Sequence, residues 1–391
     1  MKTPSSVVVV LLLMFLSAGL DTRHSSVANA QDAGNAAVKY LRADASLRQS
    51  YALAPDGAAK LQKALEAPLD DEDEKLVAAA DEALTEFHHA ADSKRCDWDI
   101  SNEDGALANT AHRGSITELV SVSGIRARLR FRGGDISGAM SDATAAMAAA
   151  RHLTVDGSLA SVLIGYRLES AMAGILARNL YRFSPAQLDE LASRLQNLPR
   201  GSTLGMAFEA ENVRRRDLLA IGKAVKSRDD LIALLLERAP ILQGNRTSAA
   251  TIVDECGGTV QGYVGCVQQQ QSFTDAWTPK FGLPPEEFES AYKAEIGELS
   301  RKNPIVRKFT PSLPRLRWVE AYCQTRRALL LAAIAVQRDG VSGLNRHVDP
   351  YDGKPFTYTP EGKGFRLASQ LSDGGVPIAL SVPADSEHAN D

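Results

Sequence analysis

The chain has 391 residues, 44% of them hydrophobic and only 6% aromatic, with 44 basic against 48 acidic side chains and a net charge of −4. That is ample for a sizeable core and long for one compact domain, and it lacks the basic footprint of a nucleic-acid binder. Abundant alanine with few aromatic residues favours close-packed helices over sheets, because strands draw on β-branched and aromatic side chains.

The N-terminus carries Lys2, an unbroken apolar run from Val7 to Leu16, and the small residues Ala28-Asn29-Ala30. This is the layout of a secretory signal peptide, with cleavage expected before Gln31 and a second, weaker cut at Ser17-Ala18-Gly19. Residues 1–30 are therefore expected to be removed, placing the mature protein in the periplasm or outside the cell. The longest later apolar run, Ala328 to Val336, is too short to cross a bilayer, so no stable membrane span is expected after cleavage.

Helical periodicity follows at once. Asn35 to Leu47 and Ala58 to Ala67 read as helices, and Pro68 closes the second. The acidic run Asp70-Asp71-Glu72-Asp73-Glu74 suits the positive end of a helix running from Glu72 to Ala91. It lacks the spaced oxygen ligands and glycine of a calcium loop. Arg95-Cys96-Asp97-Trp98-Asp99 opens a polar loop reaching Gly105, with Trp98 expected to pin it to the core. Thr117 to Arg151 reads as a helical hairpin turning at Arg132-Gly133-Gly134-Asp135, where Asp135 can cap the second helix, Ala139 to Leu153. A glycine-aspartate turn followed by an alanine-rich helix resembles tetratricopeptide-type units, although the 34-residue consensus does not recur.

Ser158 to Tyr181 forms the next helix. Ser184-Pro185-Ala186-Gln187 supplies an N-cap, a first-turn proline and a capping-box glutamine for a helix ending near Leu198. Further helices are expected at Thr203 to Val225, Arg228 to Arg238, Pro284 to Leu299, and Leu316 to Arg338, the last stopped by Gly340. Beyond it, Asp349-Pro350-Tyr351-Asp352-Gly353-Lys354-Pro355-Phe356-Thr357-Tyr358 is a turn followed by alternation. Pro360 to Gly364 is a second turn, and Phe365-Arg366-Leu367 returns. Phe356, Tyr358 and Phe365 are expected to dock this hairpin on Leu316–Arg338, because an isolated two-stranded hairpin is marginal in water.

The expected organisation is thus mainly α: a signal peptide (1–30), antiparallel helical hairpins in a bundle or short solenoid (31–340), a C-terminal β-hairpin packed on them (341–371), and a flexible tail (372–391).

Four cysteines in an exported chain invite disulfides. Cys256 and Cys266 flank a glycine-rich stretch that is expected to close as a loop. Cys96 and Cys323 would then pair by default; the alternative is four buried free thiols. There is no CxxC and no histidine pair at ligand spacing, so no metal is expected. His88-His89 point about 100° apart on a helix. No HExxH, nucleophile elbow, Walker or dinucleotide glycine pattern is present, and no cofactor is expected. The candidate catalytic groups are Glu169, Glu209, Glu211 and Glu320. They lie in apolar helical stretches with Arg167, Arg214, Arg215, Arg326 and Arg327 near in sequence. Paired carboxylates on facing helices could do acid/base work; the plainer role is salt bridges that fix helix register.

Two resemblances stand on short motifs. Asn35-Ala36-Ala37, Cys96-Asp97-Trp98, the Arg132–Asp135 turn with Ala150-Arg151-His152-Leu153, and the Asp349-Pro350 hairpin together resemble a family of uncharacterised exported helical proteins typical of planctomycete-like bacteria. That likeness covers most of the mature chain and implies no particular activity. The C-terminal phrase alone is similar to the last hairpin of type II secretion pseudopilins, with one extra residue before Gly353. The pilin methylation signal and long N-terminal helix are absent. The expectation is an exported, non-enzymatic binding or scaffold protein for an unknown protein or small-molecule partner; the alternative is a hydrolase using helix-borne carboxylates in an inter-helix cleft.

Overall fold

The computed structural model describes residues 34–50, 57–98, 111–212, 225–238 and 244–384. The expected signal peptide and its cut site lie outside the described residues, as do most of the loop to Gly105, residues 213–224 with Arg214 and Arg215, and the last part of the expected tail. The fold is mainly helical with a small three-stranded antiparallel sheet at the C-terminus.

The first helices are α1 (Ala36–Ser50), α2 (Gly57–Ala64), α3 (Asp71–Ala79) and α4 (Asp81–Ala91). Asp70 caps α3 in a capping box with Asp73, and four acidic residues fill its first turn, so the acidic run serves the helix dipole. The single helix expected over Glu72–Ala91 is broken at Ala80 (φ −91°, ψ 5°). No glycine or proline announces that break.

Three long helices then run back and forth: α5 (Ala111–Gly133), α6 (Ile136–Thr154) and α7 (Leu159–Arg178). The expected Asp135 cap is in place, accepting from the Gly138 amide at 2.9 Å. Ser158, expected as the first residue of its helix, is instead its N-cap and accepts from the Ser161 amide at 3.0 Å. Close packing of α6 against α7 depends on Gly165, where a Cβ would meet the Ala150 carbonyl oxygen at 2.5 Å. α7 is long and apolar enough to cross a membrane, yet more than half of it is buried in the protein. It packs between α6 and a late helix, α14.

The chain continues through α8 (Pro185–Gln196), opened by the expected capping box of Ser184 and Gln187, and a helical stretch over 204–212. Then come α9 (Arg228–Arg238), α10 (Arg246–Glu255), α11 (Val260–Trp277), α12 (Pro285–Lys302), α13 (Pro304–Phe309) and α14 (Leu313–Asp339). Helices α10 and α11 correct the expected glycine-rich loop. Only Gly257 and Gly258 form its turn (φ 96° and 70°), while Gly262 and Gly265 lie inside α11.

Three apolar clusters hold these elements. The largest joins α1–α8, α14 and the sheet around Tyr40, Phe87, Leu119, Met140, Leu176 and Leu329. A second gathers Phe208, Trp277, Phe281, Phe288 and Leu313. A third joins α9, α10, α11 and α13 through Ile232, Ile252, Val267 and Ile305.

The sheet orders β1 (Thr357–Glu361), β2 (Gly364–Asp373) and β3 (Val376–Val382) as β1-β2-β3. Phe356 and Phe365 are buried, while Tyr358 is half-buried and stacks on Phe365 at 5.7 Å. The neighbours of β2 and β3 are α14 and, for β3, α7 as well. The Asp349-Pro350 turn closes through Gly353 N–H to the Asp349 carbonyl at 2.8 Å. The expected flexible tail from residue 372 is corrected here: β3 pairs with β2 and buries Ile378, Leu380 and Val382. Asp373 and Val376 face each other across Gly374 and Gly375, both at positive φ. That is the two-residue hairpin turn in which both central residues need a left-handed backbone.

Candidate functional site

The four carboxylates do not form a free acid/base pair. Glu169 is held by Arg151 of α6 at 2.6 Å, not by Arg167 two residues away, because neighbours at i and i+2 on a helix do not face each other. Glu320 is buried; it accepts from the Tyr166 hydroxyl at 3.0 Å and the Leu204 amide at 2.9 Å. Arg317 lies 3.6 Å from it. Glu211 accepts from the Leu159 amide at 2.9 Å in the first turn of α7, where free N–H groups await a partner. Glu209 is exposed. Glu169 and Glu320 do share a neighbourhood. Burial first, then both carboxylates, raise the Tyr166 hydroxyl well above the ordinary range. Each carboxylate is nonetheless already engaged.

All four cysteines are free thiols, so neither expected bridge is present. Cys256, the C-cap of α10, lies against Cys266 of α11; burial first and this thiol contact second push Cys256 upward. Cys96 sits 3.7 Å from the His152 carbonyl, and Cys323 is 3.5 Å from the Ser170 hydroxyl. Different partners on α6 and α7 thus hold them, which removes the default pairing. Burial raises both to about 12, the opposite of an activated thiol. No group of three histidine, cysteine or acidic residues poised to hold a metal exists among the described residues.

Two buried polar networks escaped sequence reasoning. In the first, Asp142 of α6 has no exposed side-chain area and accepts from Arg126 at 2.7 Å, Arg130 at 2.9 Å and His88 at 2.8 Å. It ties α4, α5 and α6 together. In the second, Trp98 donates to the His152 carbonyl at 2.8 Å and stacks on His112 at 4.6 Å and Tyr40 at 6.2 Å, so this residue is anchored to the core as expected, while the loop from residue 99 lies outside the described residues. Asp156 accepts hydrogen bonds from His112 at 3.0 Å, from the Ser158 amide at 2.8 Å and from the Ser161 hydroxyl. Burial raises the Asp156 carboxyl, but the His112 and Ser161 bonds and the Arg113 charge outweigh it and hold it below the usual range. Serine, histidine and aspartate meet here in the wrong order for catalysis. Ser161 donates to Asp156, not to the imidazole, so no base activates it.

His152 gives this network a pH signature. Its Nδ1 lies 3.0 Å from the Tyr40 hydroxyl, and its buried Nε2 has no partner. Burial depresses its pKa to about 4. Unfolded histidine titrates near 6.5, so this contribution is complete above that pH and is lost as pH falls from 6.5 towards 4, about 3 kcal/mol in all. Melting temperature should therefore drop more steeply over that interval for the native protein than for His152→Asn. Parallel curves would show that His152 is protonated in the fold.

A shallow groove of about 580 Å³ runs between α3–α4 and the C-terminal half of α5. It is lined by the apolar Val77, Ala78, Leu129 and Gly133 together with Asp81, Arg126, Arg130 and Asp135.

No family model matches the chain, and no curated protein or solved structure proved similar to it.

Proposed function

We propose that this is an exported binding or scaffold protein that acts without catalysis. The observation that carries the reading is the fate of the helix-borne acids. Glu169 is spent on Arg151, and Glu320 on Tyr166, Leu204 and Arg317. A carboxylate saturated by donors in the resting protein is poorly placed to move a proton. Successive antiparallel hairpins instead present side surfaces to partners, and the groove beside α5 is one such surface.

The test is a panel of ester, glycosidic and phosphoester substrates offered to the native protein and to Glu320→Gln. Neither is expected to turn substrate over above the blank. Turnover by the native protein that a folded Glu320→Gln loses would overturn the reading and install the carboxylate hydrolase. Export has its own test: protein recovered from the periplasm or medium of its host should begin at Gln31. A soluble exported species starting at Met1 would refute cleavage.

A further inference from the structure

Two arginines of α7, Arg167 and Arg178, are half-buried. Arg167 and Arg178 are three helical turns apart and share one face. Gly174, one turn before Arg178, marks where that face meets α14. A Cβ placed on Gly174 would lie 3.6 Å from Arg178 Nη1 and 3.6 Å from Arg326 Nη2. Two guanidinium groups from different helices thus converge on one spot.

Arg167 and Arg178 make no hydrogen bond and no ion pair among the described residues, and both are half-buried. Arg326 donates Nη1 to the Ala379 carbonyl of β3 at 2.9 Å, but its Nε is buried without a partner. Arg128 also stands near Arg178 but is committed to the Ala64 and Ala67 carbonyls at 2.6 and 2.7 Å. Burial, then the Arg326 charge, pushes the Arg178 pKa down; Glu66 is the acid that opposes this. Glu66 also acts on Arg167, but it is exposed and bonds to neither.

Like charges brought together away from water repel, and half-buried donors without acceptors are costly. A guanidinium fork matches the oxygens of a phosphate group. We propose that the face formed by Arg167, Arg178 and Arg326, between α7, α14 and β3, binds a phosphate dianion, either free or as the terminal monoester of a larger molecule. Three guanidinium groups against the one carboxylate of Glu66 leave an excess of positive charge that a dianion balances. Arg178 and Arg326, which converge beside the buried Gly174, grip its oxygens. Arg167 sets the long-range field. This site shares no residue with the groove beside α5 and stands independently of the non-catalytic reading.

The experiment is calorimetric titration of the full chain with inorganic phosphate and with glycerol 3-phosphate, in sodium chloride of matched ionic strength. Saturable binding is expected. Arg178→Gln should weaken it roughly tenfold or more, the loss expected for a charge-assisted hydrogen bond, while exposed Arg194→Gln leaves it unchanged. Without phosphate, Arg178→Gln should melt at the native temperature or above, since it removes a repulsion and breaks no bond. Tighter binding of glycerol 3-phosphate assigns a monoester, and equal or weaker binding assigns free phosphate. Three results would overturn the proposal: no heat beyond the chloride control, equal affinity in Arg178→Gln and Arg194→Gln, or a lower phosphate-free melting point for Arg178→Gln, which would make Arg178 a structural cation.

Discussion

Asp142→Ala is expected to remove about 3–5 kcal/mol of stability, the range seen when one partner of a buried ion pair is deleted. That is a large part of what an ordinary domain possesses. The carboxylate is wholly buried and accepts from two arginines and His88. Once it is gone, Arg126, only 8% exposed, keeps Asp81 at 3.3 Å as its acidic partner, and that aspartate is mostly in solvent. The seam between α4, α5 and α6 would then hold uncompensated positive charge. The midpoint of urea unfolding reads this directly. Replacing both partners, as Asp142→Leu with Arg126→Met, should restore much of the loss, because an apolar pair needs no counter-charge. A single-variant loss below about 1 kcal/mol, the value of a solvated pair, would show that water already compensates the cluster.

Deleting residues 348–391 is the second change with a large expected effect. Phe356, Phe365, Leu367, Leu371, Leu380 and Val382 are all buried, at 6% exposure or less. They cover α14 and part of α7. Each such side chain contributes about 1.5–3 kcal/mol on leaving water, and the Arg326–Ala379 bond and the Trp318–Ser372 bond go with them. The truncated chain should melt far lower and bind a hydrophobic dye in buffer. An unchanged melting temperature, with fast amide exchange through β1–β3 in the intact protein, would instead mark the sheet as a detachable element that a partner captures.

The parts of the fold legible in the sequence were those governed by local rules. Ser184-Pro185-Ala186-Gln187 announced α8 because a capping box lies within four residues, and Arg228–Arg238 was bounded correctly by its period. Local signals were also missed. Asp373-Gly374-Gly375-Val376 is a strong two-residue hairpin turn, but the polar residues around it concealed β3. The glycines between Cys256 and Cys266 suggested a loop, although two of them sit inside α11. The site was hardest to read because its pairings are remote. Glu169 finds Arg151 in the preceding helix, and Arg178 meets Arg326 from α14. No spacing rule links such positions; only packing of α7 against its neighbours brings them together.

The composition of α7 bears on the proposed passage across a membrane. A chain threaded outward presents this helix before α14 and the sheet exist to cover it, and by length and apolarity it could be taken for a stop-transfer segment. Arg167 and Glu169 stand at its middle, where the insertion penalty for an ionised arginine is about 2.5–3.5 kcal/mol. These two charges would keep the translocating chain from lodging sideways in the lipid, so neutral replacements at both positions should convert exported protein into membrane-retained protein.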